Sequence, residues 1–246
     1  MSETSTTSQR EPATDNTTGH RKTTTSDRIK DLILADGLRP GDLLPTEGEL
    51  CDRLGVSRSN VREAVRKLST LDIVDVRHGH GTYVGEMSLD ALVEALVFRG
   101  VLSPGDDLRA LRDVVEVRQA LDYGMSEAIV GSLQGTTNPE LSALVDEMVA
   151  MAQAGKSFPH QDRAFHTGLL ASLGNSLVGQ LVAAFWDVHT AVLPRLNVAV
   201  AADLEQTARA HGQMLEAAQD GDVEAFHAAI TVHYEPIARA LDRGVT

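Results

Sequence analysis

Apolar residues recur at helical spacing along most of the chain, and one short stretch switches to the alternation of a β-hairpin. The first helical stretch follows Ser26, read as its N-cap, and carries Ile29, Leu32 and Ile33 on one side as far as Gly37. Leu38-Arg39-Pro40-Gly41-Asp42 then reads as a turn, with structure resuming at Leu43. Thr46 and Glu49 form the capping box of a second helix: the hydroxyl accepts from the amide of Glu49, and the carboxylate reaches back to the first free amide. That helix ends near Leu54-Gly55, and Ser57 caps a third after about three connecting residues. Val61, Ala64, Val65, Leu68 and Leu71 share one stripe of the third helix and leave Arg58, Asn60, Arg62 and Arg66 outside it. Ile73-Val74-Asp75-Val76 and Thr82-Tyr83-Val84 are β-prone runs around His78-Gly79-His80-Gly81, whose glycines supply the positive φ of a tight hairpin. Helix, helix, turn, helix and hairpin within about 60 residues predict a winged helix-turn-helix.

Beyond Gly85 the β signal ends. Helical pattern continues, broken at 100–105, 131–139, 155–159, Gly174-Asn175, 193–197 and 220–222, which predicts six or seven helices without a repeat of fixed period. The expected fold is therefore mainly α, an N-terminal winged helix-turn-helix domain plus a C-terminal all-α helical bundle. Its parts are a disordered polar tail over 1–25, the winged domain over 26–84, a linker over 85–88 and the helical domain over 89–243.

Composition narrows the function. The chain's 246 residues, 42% hydrophobic, suffice for two modest domains. No run approaches the roughly 20 apolar residues of a membrane span. The first 25 residues hold 12 Ser and Thr and no apolar stretch, so membrane and secretory readings are set aside. A lone Cys51 allows neither an intrachain disulfide nor a zinc-finger pair, and a reducing cytoplasm is the expected location. A net charge of −13 opposes nucleic-acid binding until its distribution is seen: −2 over 1–20, +1 over 21–84 and −12 over 85–246. Arg58, Arg62, Arg66, Lys67 and Arg77 fall within 20 positions of the near-neutral segment. On an isolated helix such a face is usually just solvated. Within this motif, however, the N-terminal end of the second helix meets base edges in the major groove, and Ser57, Arg58, Ser59, Asn60 and Arg62 occupy that end. Arginine matches guanine with two parallel donors, while Ser59 or Asn60 reads a base or holds phosphate.

In the helical half, Asp162 and His166 stand four apart on a stripe with Leu169, Leu170 and Leu173, so both face inward. His211 shares a stripe with Leu204, Leu215 and Ala218. His211 and His233 flank the break at 220–222, about 14 and 19 Å from the turn, heights that an antiparallel helix pair brings together. His227 lies on the opposite edge of the same stripe as His233, and periodicity does not choose between them. A single inward histidine is ordinarily a satisfied core residue, but three imidazoles with a carboxylate suit zinc or another first-row divalent ion. Arg118 sits mid-stripe among Leu111, Val114, Met125 and Ile129, where a charge needs a partner. Asp122, four residues on, is the structural candidate; a small carboxylate held jointly by Arg118 and the metal is the functional one. His160 and His189 are left out of the ligand set, His189 as a neighbour of the pocket.

Several linked motifs carry a family resemblance. Leu44-Pro45-Thr46-Glu47, Gly55-Val56-Ser57-Arg58, Val61-Arg62-Glu63-Ala64 and Arg77-His78-Gly79-His80-Gly81-Thr82-Tyr83-Val84 resemble the N-terminal domain of GntR-family bacterial transcription regulators. Asp162-Arg163-Ala164-Phe165-His166 with Gly174-Asn175 resembles the all-helical FCD effector domain of the FadR-type subfamily. The resemblance spans 26–243. It implies that Arg58 and Arg62 are the main base contacts and that His78 and Gly79 at the wing tip approach the minor groove. It selects His233, making Asp162, His166, His211 and His233 the ligands of a divalent ion, zinc first, with nickel or manganese as alternatives. It also implies an FCD-based homodimer on a roughly palindromic operator. Relatives respond to organic and sugar acids, which favours a small carboxylate effector at Arg118. Gly48 departs from the pattern: relatives usually carry arginine or lysine after Pro-Thr-Glu, so one common base contact is missing.

The expectation is a cytoplasmic, ligand-responsive DNA-binding regulator, a repressor released from its operator by the acid, with no catalytic residues and no membrane partner. One alternative is a metal-dependent hydrolase fused to a DNA-binding domain, disfavoured because no further carboxylate or histidine stands ready as a general base. The other is a regulator that senses the metal itself.

Overall fold

The computed structural model describes residues 23–102, 109–192 and 204–243. The N-terminal elements are α1 (Thr25–Ala35), α2 (Glu47–Leu54), α3 (Arg58–Thr70), β1 (Val74–Arg77) and β2 (Gly81–Val84). Thr24, not Ser26, caps α1: its hydroxyl accepts from the Asp27 amide at 3.2 Å while the Asp27 carboxylate takes the Thr24 amide at 3.0 Å. This reciprocal pair satisfies two otherwise free amides, which a cap at Ser26 lacking an acidic residue three positions on cannot do. Thr46 and Glu49 make the expected box on α2, with bonds of 3.4 and 2.8 Å. Gly55 turns the chain in left-handed conformation (φ 61°), and Ser57 caps α3 by accepting from the Asn60 amide at 3.3 Å.

Ile29, Leu50, Val61, Ala64, Leu68, Val74 and Val84 form the buried centre of this unit. Leu71, expected on the same stripe, is exposed because α3 ends at Thr70 and leaves it as the C-cap. β1 and β2 pair antiparallel from Val74↔Val84 to Arg77↔Gly81. The expected turn before α2 closes with Asp42 donating to the Arg39 carbonyl, and structure resumes at Leu43 as a third edge of the wing: Leu43 bridges Tyr83, and Leu44 donates to the Thr82 carbonyl at 2.8 Å.

The expected linker is tied to the winged unit. The amides of Gly85 and Met87 donate to the carbonyls of Ile73 and Asp72, each at 2.9 Å, and Ser88 donates to the Asp72 carboxylate at 2.9 Å. A Cβ on Gly85 would lie 2.1 Å from the Asp72 carbonyl oxygen, so the approach requires glycine.

Seven α-helices follow among the described residues: α4 (Asp90–Leu102), α5 (Arg109–Leu133), α6 (Pro139–Gln153), α7 (Pro159–Leu170), α8 (Ser176–Val192), α9 (Leu204–Asp220) and α10 (Val223–Arg243). A 3-10 turn, Ala171–Leu173, extends α7. α4 continues past Gly100 and α5 past Gly131, later than the expected breaks. The tail up to residue 22, the rest of the 100–105 break and the 193–197 break lie outside the described residues. Ile129, Met148, Phe165, Leu169, Met214, Phe226 and Ile230 form the centre of the bundle. α9 and α10 fold back on each other through Gly221 (φ 79°), and their contact brings His211 and His233 together. No described helix is long and apolar enough to cross a membrane.

Candidate metal centre and nucleic-acid interface

The first turns of α3 present Arg58, Ser59, Asn60 and Arg62 to solvent beside Ser57, whose hydroxyl lies 3.0 Å from that of Ser59. Arg62 pairs with Glu47 of α2 at 2.8 Å while remaining 67% exposed, so it is tethered without being withdrawn from the surface. Arg66 and Lys67 lean on Glu63 at 3.2 and 3.7 Å. His78 and Gly79 form the exposed wing tip, where Gly79 has φ 78°. The Arg77 Cζ lies over the Tyr83 ring at 4.2 Å, and its Nε donates to Asp75 at 2.7 Å. Position 48 opens onto empty space, with nothing within 4 Å of where its Cβ would be.

In the helical half, α7 supplies Asp162 and His166, α9 His211 and α10 His233, all buried. One ligand atom from each lies within 4.8 Å of all the others. His166 Nε2 and His211 Nε2 stand 3.4 and 3.3 Å from Asp162 Oδ1. Donors about 2.0–2.1 Å from a tetrahedral ion are about 3.4 Å apart along an edge, so these spacings fit a cation. Asp162 Oδ1, His166 Nε2, His211 Nε2 and His233 Nδ1 are also shielded from solvent and lack hydrogen-bond partners. Four orphaned atoms converging on one point is an arrangement that a positive ion resolves.

The surroundings aim these donors. His211 Nδ1–H donates to the Thr207 carbonyl at 2.8 Å, which leaves the Nε2 lone pair facing the cluster. His166 Nδ1 faces Asp122 at 3.5 Å, and the Tyr234 hydroxyl donates to the same carboxylate at 2.7 Å. Burial pushes the Asp162 carboxyl up, but His211, His166 and His233 together outweigh it and hold it well below the usual range. The same contest, between burial and the neighbouring His166, leaves Asp122 lowered. Burial, then His211 and His166, drives His233 well below the ordinary imidazole value, toward the neutral form a metal requires.

Arg118 is buried on α5, as expected, but its close partner is not Asp122. Its Nη1 donates to His189 Nδ1 on α8 at 2.7 Å, and its guanidinium lies over the Trp186 ring at 4.3 Å. Asp122 is occupied by Tyr234 and His166 and acts on Arg118 only through its charge. His189, left out of the ligand set, is the partner of Arg118, and His160 is exposed at the start of α7. His227 is engaged elsewhere, 2.6 Å from the Ser126 hydroxyl. Sequence reasoning missed Asp122 and Tyr234 as supports of the cluster; the signal available for Asp122 was a polar row, Arg118, Asp122 and Ser126, along an otherwise apolar face of α5.

A winged helix-turn-helix joined to a helical bundle with a buried donor cluster is the architecture of a two-domain transcription regulator. Residues 22–84 match the family described as bacterial regulatory proteins, gntR family, and residues 113–236 match the FCD domain. The transcriptional regulatory protein NedR of Micromonospora viridifaciens is 43% identical over 106 residues, covering 43% of this chain and 76% of that protein. The galactonate operon transcriptional repressor of Escherichia coli is 27% identical over 195 residues, covering 78% of this chain and 85% of that one. The solved structure of Streptococcus agalactiae GntR superposes with a TM-score of 0.63 at 29% identity, covering 87% of this chain and 97% of that chain. The chain belongs to the GntR family of transcription regulators, in the group that carries an FCD domain. Family and relatives are DNA-binding regulators rather than enzymes.

Proposed function

We propose that the protein is a cytoplasmic repressor that, as a homodimer, holds a roughly palindromic operator and releases it when a small organic or sugar acid binds in the helical domain. Residues 26–84 form the DNA-binding domain, 85–88 the connection and 89–243 the sensory, dimerising domain. Arg58 and Arg62 read bases, Ser57, Ser59 and Asn60 complete the contact, and His78 and Gly79 enter the minor groove. Asp162, His166, His211 and His233 hold a divalent ion, zinc first. When bound, the ion supplies a fixed positive anchor for a carboxylate oxygen. Arg118 gives the acid a second cationic group, and its cation-π contact with Trp186 keeps it in place.

The observation that carries this reading is the convergence of four buried, partnerless donor atoms in the helical domain. The galactonate repressor among the relatives supports the acid class. An acid can drive release only by binding the DNA-incompetent state more tightly. The test is fluorescence anisotropy of an operator duplex recovered by selection on the metal-free protein, titrated first with zinc and then, on the zinc-loaded complex, with glycolate and gluconate. Release by an acid is expected. Retention at saturating acid, or release by zinc alone, would contradict the reading, the latter favouring a metal sensor.

A further inference from the structure

A cation accounts for the four orphaned lone pairs but not for two buried polar atoms near them. Trp186 Nε1 and His189 Nε2 lie one turn apart on α8, with ring centroids 4.8 Å apart, and neither has a hydrogen-bond partner. Neither is a metal donor in this setting. An indole N–H only donates, and arginine has no acceptor. Arg118 Nη1 therefore donates to His189 Nδ1, and the neutral imidazole carries its proton on Nε2. Burial and the Arg118 charge keep His189 neutral, bringing its pKa down to about 3. The result is a wall of N–H groups, from Arg118, Trp186 and His189, without an acceptor in the protein for two of them. The remaining guanidinium fork matches the two oxygens of a carboxylate, so the two ring donors call for oxygen outside that group.

We propose that His189, fixed in its Nε2–H form by Arg118, selects the effector: with Trp186 it donates to a hydroxyl oxygen of the acid, so the pocket takes a hydroxycarboxylate in preference to a simple carboxylate. This rests on the acid-effector reading above and adds a residue and a selectivity to it. His189 is a binding residue on the ligand side and a positioning partner of Arg118 on the other.

The test is calorimetric titration of the zinc-loaded, full-length protein with glycolate and with acetate, which differ by one hydroxyl. Wild type binds glycolate more tightly. In His189→Phe glycolate affinity falls about 2- to 10-fold, the worth of a hydrogen bond to a neutral hydroxyl, and moves toward that of acetate. His189→Gln, whose carbonyl accepts from Arg118 and whose amide donates, retains most of the preference. In wild type, long-range nitrogen–proton spectra show His189 as the Nε2–H tautomer, a readout that stands even if the phenylalanine variant does not fold. An Nδ1–H tautomer, or glycolate affinity indifferent to His189→Phe, overturns the inference and leaves the acid-effector reading intact; an ordered water on the two donors gives that second result. Failure of wild type to bind either acid overturns both.

Discussion

Arg58 and Arg62 carry the same guanidinium at the same helix end but under different restraint. Arg62 is tethered to Glu47, whereas Arg58 is exposed and joins no ion pair among the described residues. Arg58→Ala is expected to lower affinity for the selected operator at least about 30-fold, because a bidentate base contact discriminates by about 1–3 kcal/mol and a dimer loses two. Its circular dichroism should match wild type; an unchanged gel-shift titration would remove Arg58 from the interface. His189 makes a second prediction at this scale. Its folded pKa of about 3 lies below the ordinary 6.5, so the unfolded chain takes the proton first. The neutral form's contribution is complete above pH 6.5 and drains as pH falls toward 3, by up to about 1.4 kcal/mol per unit. Burial and then the Arg118 charge push in this direction, and Asp162 opposes them. In chelator-treated protein, urea midpoints at pH 7 and pH 5 should therefore differ less for His189→Gln than for wild type. Equal differences would place His189 in contact with solvent.

Local signals along the elements were readable where they depend on neighbours in sequence. Thr46-Glu49, Gly55 and Ser57 fix three helix ends by hydrogen bonds spanning a few residues, and Asp162 with His166 follows from one helical turn. Thr46→Ala should cost about 0.5–2 kcal/mol, seen as a lower melting temperature with the operator contact residues untouched. What stayed hidden was long-range. The helical repeat offered Asp122 to Arg118, but the actual partner lies 71 positions away on α8. The third edge of the wing comes from a Pro-Gly segment without alternation, which pairs because β2 presents free backbone groups to it. The clamp of residues 85–88 onto Asp72 leaves no pattern beyond one glycine. Gly85→Ala forces a methyl into the Asp72 carbonyl and should destabilise the winged unit by several kcal/mol, of the order seen for overpacking or more. A melting temperature within a degree of wild type would show that the clamp yields easily.

At the scale of the molecule, the backbone ties from Asp72 make the connection between the winged unit and the helices short and bonded, so a shift of the helices is not absorbed by slack. The two halves divide the chemistry: a near-neutral unit concentrates arginine on one helix, and an acidic unit buries Asp122 and Asp162 beside histidines in a cluster that could hold a metal ion. Everything said of the effector depends on that ion. The most direct measurement is elemental analysis of purified protein and of His166→Ala, both reconstituted with zinc and desalted. About one zinc per wild-type chain is expected, with a loss of about 10- to 100-fold or more in affinity in the variant. Wild-type protein that retains no metal, or a variant that binds it equally well, would contradict the account.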